Sequence, residues 1–351
     1  MMKKYKMLVW LLLSMLVFAG CESRRFAENK NSTTNVPSEE TESNTIEVGF
    51  SQLGAESDWR SANTESMKEA LSVQNGYTLV FKDGQQKQSN QITAVRTFIQ
   101  QDVDYIVLAP VTESGWDSVL EEAKEAGIPV ILVDRLVDVS DKSLYQCWVG
   151  SDFELEAKKV CEWLNQYAAA RGIDSKDLHI VDLQGTLGST AQIGRTLGLE
   201  ETAEKYGWDI VAQEEADFTQ ARGREVMASM IRAYDNINVV YCENDNEAMG
   251  AIKALEAAGY TVGSDIQNGE IMVLSFDGIN KEALDYARAG KIACIGECNP
   301  MHGARVAAMI QQLEKGESIN KMNYVDERIY SALPDVTEIT VDGAKYSVTM
   351  P

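Results

Sequence analysis

The chain has 351 residues and a formal charge of −22, from 54 acidic and 32 basic side chains. That length suffices for two lobes of ordinary domain size, and the charge argues against nucleic acid, because phosphate binding needs a basic surface. A strongly anionic ligand is disfavoured too, unless the site is locally basic. The two histidines, His179 and His302, do not form a pair at metal spacing. Cys147, Cys161, Cys242, Cys294 and Cys298 are odd in number and show no paired ligand spacing, so they read as buried free thiols acting as small hydrophobes. No metal and no cofactor are expected.

In chain order, Lys3, Lys4 and Lys6 precede an apolar run over Met7–Phe18 that is short for a bilayer span and has the layout of a secretory signal. Ala19 and Gly20 then lead to Cys21, an arrangement that resembles a bacterial lipobox with Cys21 as the lipidated first residue. Phe18 departs from the commoner Leu of that motif, and the other reading is a plain signal with a chance cysteine. Residues 22–45 are rich in Ser, Thr, Asn and Glu, too polar to offset their ordering entropy. They predict a flexible spacer of roughly 25–30 Å root-mean-square reach. Beyond it no second apolar run of membrane length occurs.

From Ile46 onward, short β-branched runs alternate with amphipathic stretches. Strands are predicted over residues 46–53, 77–83, 104–110 and 128–134, with helices over 59–74, 86–101 and 113–126. Asn75-Gly76 and Gly127 before Pro129 close the helices. A second set of strands follows over 178–185, 208–216, 237–244, 270–278 and 291–297. Nearly continuous apolar strands separated by helices imply parallel sheets covered on both faces, here as two α/β units in series.

Ligands of such sheets bind beyond the carboxyl ends of the strands. Those ends carry Trp59 and Arg60 after strand one, Asp83 and Gln85 after strand two, and Asp134 and Arg135 after strand four. In the second set they carry Gln184-Gly185-Thr186, Asp217-Phe218, Asn244-Asp245, Asp277-Gly278 and Glu297. Carboxylates accept hydroxyl protons, Arg donates in a fork, and a ring covers a C–H face, which together suit a small polyhydroxylated molecule. Each group also has a structural reading. Trp59 and Phe218 fit core packing, Asp134-Arg135 a structural ion pair, Asn244 and Asp245 a helix cap, Asp277-Gly278 a turn, and Arg195 a solvated helix face.

Over residues 46 to about 334 the chain resembles substrate-binding proteins of bacterial ABC sugar transporters, in the ribose/galactose-binding group. The similarity is carried by FSQLGAESDWRSAN, KDGQQKQSNQITAVRTF, LAPVTESGW, PVILVDR, LQGTLGS, ADFTQARGREVM, YCENDNEAMGAI and FDG, which are nearest the galactofuranose-binding branch. The resemblance implies the type I periplasmic-binding-protein fold, with two Rossmann-like parallel-sheet lobes joined by three crossings. It divides the chain into a signal (1–20), lipidated Cys21 with spacer (21–45), an amino lobe (46–149 plus 299–328) and a carboxyl lobe (150–298 plus 329–351). It assigns ligand contacts to Trp59, Arg60, Asp134, Arg135, Arg195, Phe218, Asn244, Asp277 and Glu297, and in the galactofuranose-like branch to Asp83 and Gln85. Ala109 stands where many pentose and pyranose binders place Asn, and Cys242 and Cys298 stand beside binding positions. The implied partners are a monosaccharide, a membrane permease with its ATPase subunits, and the membrane reached through the lipid anchor. With no oligomerisation signal, a monomer is expected.

Enzyme readings meet obstacles. The chain lacks GxxxxGK[ST], GxGxxG after strand one, and a GxSxG elbow, which leaves a carboxylate-pair glycosidase as the nearest catalytic alternative. A sensor passing sugar occupancy to a membrane kinase or chemoreceptor is the alternative in another class. The effector domain of a transcription regulator is disfavoured by the leader, the acidity and the absence of an amino-terminal helix-turn-helix.

Overall fold

The computed structural model describes residues 45–351, so the expected signal, Cys21 and nearly all of the spacer lie outside the described residues. The first half runs β1 (Ile46–Gln52), α1 (Asp58–Ala70), β2 (Tyr77–Asp83), α2 (Gln88–Gln101), β3 (Tyr105–Leu108), α3 (Asp117–Glu125), β4 (Val130–Val133) and β5 (Cys147–Gly150). There follow α4 (Phe153–Arg171), β6 (His179–Gln184), α5 (Thr190–Tyr206), β7 (Asp209–Glu215), α6 (Gln220–Ala233), β8 (Val239–Cys242), α7 (Asp245–Ala257), β9 (Met272–Asp277), α8 (Lys281–Arg288) and β10 (Cys294–Glu297). The chain closes with α9 (Gly303–Glu314), β11 (Met322–Tyr324), β12 (Ile329–Tyr330), β13 (Glu338–Val341) and β14 (Ala344–Thr349).

The strands form two sheets, ordered β11-β5-β4-β3-β1-β2 and β13-β14-β12-β10-β9-β8-β6-β7. The chain therefore crosses between lobes three times: after β5, after β10 and after β11. The first sheet is parallel throughout, and the second is parallel from β10 to β7. Its far edge is mixed, because β12 pairs antiparallel with β10 and β13 with β14 while β12 and β14 pair in parallel.

Burial on both faces explains the apolar strands. In the first lobe Phe50, Ile131 and Val133 pack with Met67 and Ile310 on one face, and Ile106, Leu108 and Leu132 with Phe98 and Leu120 on the other. In the second, Tyr241 and Phe276 meet Trp163 and Leu199, while Val240 and Val273 meet Met227 and Ile252. Side chains of this kind contribute roughly 1.5–3 kcal/mol each on burial. Where α9 crosses α1, Gly303 N donates to Ser66 Oγ at 3.0 Å. A Cβ there would lie 2.0 Å from Ser66 O, so the approach requires glycine.

Two expectations change. The first helix stops at Ala70 rather than residue 74, with Leu71 as its cap. A strand at Cys147–Gly150 and the β11–β14 tail were not anticipated by the periodicity.

Candidate functional site

The site is built from strand ends. Asp134, Phe218 and Asp277 all have left-handed backbone, at φ 64°, 57° and 87°. Such conformations cost a non-glycine residue about 1–3 kcal/mol and persist only where surroundings impose them. Here Asp134 N donates to Val149 O and Trp148 Nε1 donates to Asp134 O; Phe218 N donates to Glu247 Oε1, and Cys298 N to Asp277 O. All three residues line one cleft, together with Trp59, Arg60, Arg135, Arg195 and Asn244.

On the first lobe's side the cleft holds four charged groups. Arg60 Nη2 lies 2.6 Å from Asp134 Oδ2 and its Nε 2.9 Å from Glu56 Oε1. Arg135 is 3.9 Å from Asp134 and 4.0 Å from Glu56, and its Nη1 donates to Val111 O at 2.7 Å. All four side chains are nearly inaccessible. Burial and the Arg60 charge pull Arg135 down to about 10. Burial opposes the Arg60 charge as well, but Asp134 and Glu56 outweigh it and raise its pKa. Within this dense group Glu56 Oε2, Arg60 Nη1 and Arg135 Nε have no hydrogen-bond partner in the protein.

On the second lobe's side Arg195 reaches Glu156 Oε2 through Nε (3.1 Å) and Nη2 (3.0 Å), Asp277 Oδ1 at 3.4 Å, and the Glu243 carbonyl. Burial raises the Asp277 pKa well above the carboxylate range, opposed by Arg195. Asn244 caps α7, its side chain accepting from Glu247 N at 2.8 Å, and it also donates to Phe218 O at 3.0 Å. Cap and cleft position therefore coexist in Asn244. Asp245 instead braces the turn after β9, accepting from Ser275 Oγ and the Gly278, Ile279 and Asn280 amides.

The lobes meet around the cleft. The Arg135 guanidinium sits 5.3 Å from the Phe218 ring centre, Leu136 N donates to Thr190 Oγ1 at 2.8 Å, and Glu113 N to Gly188 O at 3.0 Å. At the mouth Asp58 is hydrogen-bonded to Asn246 and Asn280. Trp59 Nε1 donates to Cys298 O at 2.7 Å, which fixes the indole against the second crossing. Forked donors, carboxylate acceptors and aromatic faces converging on one cleft suit a polyhydroxylated molecule.

Three expected contacts lie elsewhere. Asp83 and Gln85 are exposed at the end of β2, the edge strand, where Asp83 Oδ1 accepts from Gln85 N. Glu297 is gripped by Arg328, whose N, Nε and Nη2 all donate to it at 2.9–3.0 Å, because antiparallel pairing of β12 with β10 brings the two together. Conversely Glu56, Ser57, Phe153, Ala191 and Cys298 line the cleft without having been expected as ligand contacts. The i,i+4 spacing of Glu56 and Arg60 was a usable signal for the first of these. Ala109 is fully buried, and its carbonyl accepts from Gln91 Nε2.

The five described cysteines are buried and free. Glu156, Cys298 and Glu327 bring ligating atoms within 4.8 Å of one another. Arg195 already neutralises Glu156, and burial raises the pKa of both Cys298 and Glu327 so that each keeps its proton. Among the described residues no helix is long and apolar enough to cross a membrane.

Known proteins share this fold. The sequence pattern of the periplasmic binding protein domain matches residues 48–318. A galactofuranose-binding protein of Escherichia coli is 39% identical over 308 residues, covering 86% of this chain and 92% of the relative. A Mycobacterium smegmatis structure in complex with β-D-fucofuranose is 38% identical with a TM-score of 0.76, covering 82% of this chain and 92% of that one. The binding component of an arabinose ABC transporter from Shewanella sp. ANA-3, bound to α- and β-L-arabinofuranose, is 37% identical with a TM-score of 0.75, covering 82% and 92%. These relatives are substrate-binding proteins, not enzymes.

Proposed function

Because the chain belongs to the periplasmic binding protein domain family, we propose that its cleft captures one monosaccharide in the furanose ring form and hands it to an ABC import permease. The observation that carries this reading is the group of three unpartnered charged atoms, Glu56 Oε2, Arg60 Nη1 and Arg135 Nε, buried in the cleft wall. An unsatisfied buried polar group costs about 1–3 kcal/mol, more when charged, and sugar hydroxyls, each donor and acceptor, satisfy both signs. The furanose preference rests on the ligands of the relatives at 37–39% identity.

In this reading Trp59 and Phe218 cover the ring's C–H faces, and Glu56, Arg60, Asp134 and Arg135 grip hydroxyls from one lobe. Arg195, Asn244 and Asp277 complete the set from the other. Ligand favours closure by its greater affinity for the closed form. Lipidated Cys21 and the spacer hold a monomeric receptor, with lobes at 46–149 plus 299–328 and 150–298 plus 329–351, beside the membrane. Since Trp59 lines the cleft, its emission reports occupancy. Titration with arabinose, galactose and fructose should give a saturable change for a furanose-forming sugar that is lost in Trp59→Phe. A folded protein whose spectrum no sugar alters would refute the reading.

A further inference from the structure

The three crossings between the lobes meet at one carboxyl group. Ser151 Oγ, on the first crossing, donates to Glu327 Oε1 at 2.7 Å, and Asn299 N, on the second, donates to the same atom at 2.6 Å. Glu327 itself lies on the third crossing. Cys298 Sγ completes the contact, 3.2 Å from Ser151 Oγ. The cluster is wired to both lobes. Trp59 Nε1 and Asn63 Nδ2 hold the Cys298 and Pro300 carbonyls from α1, while Lys159 Nζ, on α4, holds the Glu327 carbonyl at 2.9 Å.

Beside Glu327 lies Glu156, also buried, whose Oε2 is taken by Arg195 but whose Oε1 has no partner. Two adjacent buried carboxyls cannot both ionise cheaply. Arg195 favours the charge on Glu156, so the proton belongs on Glu327, which has a carboxyl oxygen within 4.8 Å of one on Glu156. We propose that protonated Glu327 is the knot of the hinge, tying the three crossings to one another and, through Glu156, positioning Arg195 in the cleft, so that closure on ligand takes up a proton. The part concerning Arg195 rests on the sugar-binding reading of the cleft.

Burial, then the neighbouring Glu156, raises Glu327 to about 10, while Glu156 is itself raised by burial against the pull of Arg195. The remaining groups around Glu327 are Lys159, held on its backbone carbonyl, the Cys298 thiol, and the Glu297–Arg328 pair with Tyr330 on the far side. The sign follows from linkage. A raised folded-state pKa gives stability that is full below the ordinary carboxyl range and is lost as pH rises toward 10. If the knot loosens on opening, affinity falls with rising pH across the same window, by at most tenfold per pH unit for one proton.

Glu327→Gln should imitate the protonated form. Its amide N–H can donate to Glu156 Oε1, and its amide oxygen can accept from Ser151 and Asn299. Without sugar, where the looser knot holds its proton less tightly than in the closed form, melting of the parent should lose stability relative to Glu327→Gln as pH rises from 5 to 7. Parallel melting curves would overturn the knot, and this arm needs no ligand. With D-galactose, calorimetry at pH 7 in phosphate and Tris should show uptake of a substantial fraction of a proton by the parent and none by Glu327→Gln. Affinity of the parent should fall at least threefold per pH unit. Binding with equal proton uptake in both proteins, or with none in the parent, would overturn the coupling. No galactose binding at all would count against the furanose reading, while the melting comparison would still decide the knot.

Discussion

Arg135→Ala should separate ligand binding from folding. The guanidinium is 2% exposed, and burial together with the Arg60 charge already disfavours its protonated form. Removing it relieves that repulsion but forfeits the bond to Val111 O and the 3.9–4.0 Å contacts with Asp134 and Glu56, both of which keep the closer Arg60, so folding should lose about 1–2 kcal/mol. Binding should suffer far more. A hydrogen bond to a charged group contributes about 1.5–3 kcal/mol, and the contact with Phe218 across the cleft adds about 0.5–2 kcal/mol. Together they predict a loss of about 2–5 kcal/mol, roughly 30-fold to several-thousand-fold in Kd. Asp134→Ala should behave differently, because it leaves Arg60 and Arg135 buried with only Glu56 between them. Breaking a buried pair in this way costs about 3–5 kcal/mol, so that variant should lose stability as well as binding. The assay is calorimetric titration beside urea unfolding for both proteins. Parent-like affinity in Arg135→Ala would remove that residue from the binding site, and equal unfolding losses in the two variants would overturn the ion-pair assignment.

Other outcomes can be stated briefly. Gly185→Ala places a Cβ 1.9 Å from the Phe218 ring, so the ring must leave its position and sugar affinity should fall at least tenfold while the protein still melts cooperatively. Asn244→Ala should cost about 1 kcal/mol through the lost cap and weaken binding, whereas Asn244→Asp should keep the cap and lose only the bond to Phe218 O. His302 is fully buried, with its ring against Trp59, and burial pulls it down to about 4. Its depressed pKa means stability present above pH 6.5 is lost as pH falls toward 4, by up to roughly 3 kcal/mol; His302→Phe should flatten that acid limb in pH-dependent melting. Cys21→Ser should move the protein from the membrane to the soluble fraction, and persistent membrane attachment would count against lipidation.

The parts legible in the sequence are those with a local physical cause. Long apolar runs such as residues 104–110 and 270–278 declare strands because both faces of the sheet are covered. Cys147–Gly150 carries no such signature; only its pairing with β4 and β11 makes it a strand. The strand-end rule located Arg60, Asp134, Arg135, Phe218, Asn244 and Asp277, since the topology sends all of them to one cleft. The same rule overreached at Asp83 and Gln85, because a residue string does not reveal that β2 is the edge strand. It overreached at Glu297 because Arg328 arrives from a tail strand whose pairing only the fold supplies. Glu56 and Phe153 were missed for the opposite reason: each joins the cleft through its position before or at the start of a helix, not through a strand end.

The most direct measurement is calorimetric titration of the folded protein with a furanose-locked sugar, methyl β-D-galactofuranoside, against its pyranose counterpart. The account predicts one-to-one binding of the furanoside and at least a tenfold weaker response to the pyranoside, with the sugar recovered unchanged. Equal binding of both would contradict the furanose assignment, and no binding of either, from a protein that melts cooperatively, would contradict the account of the cleft itself.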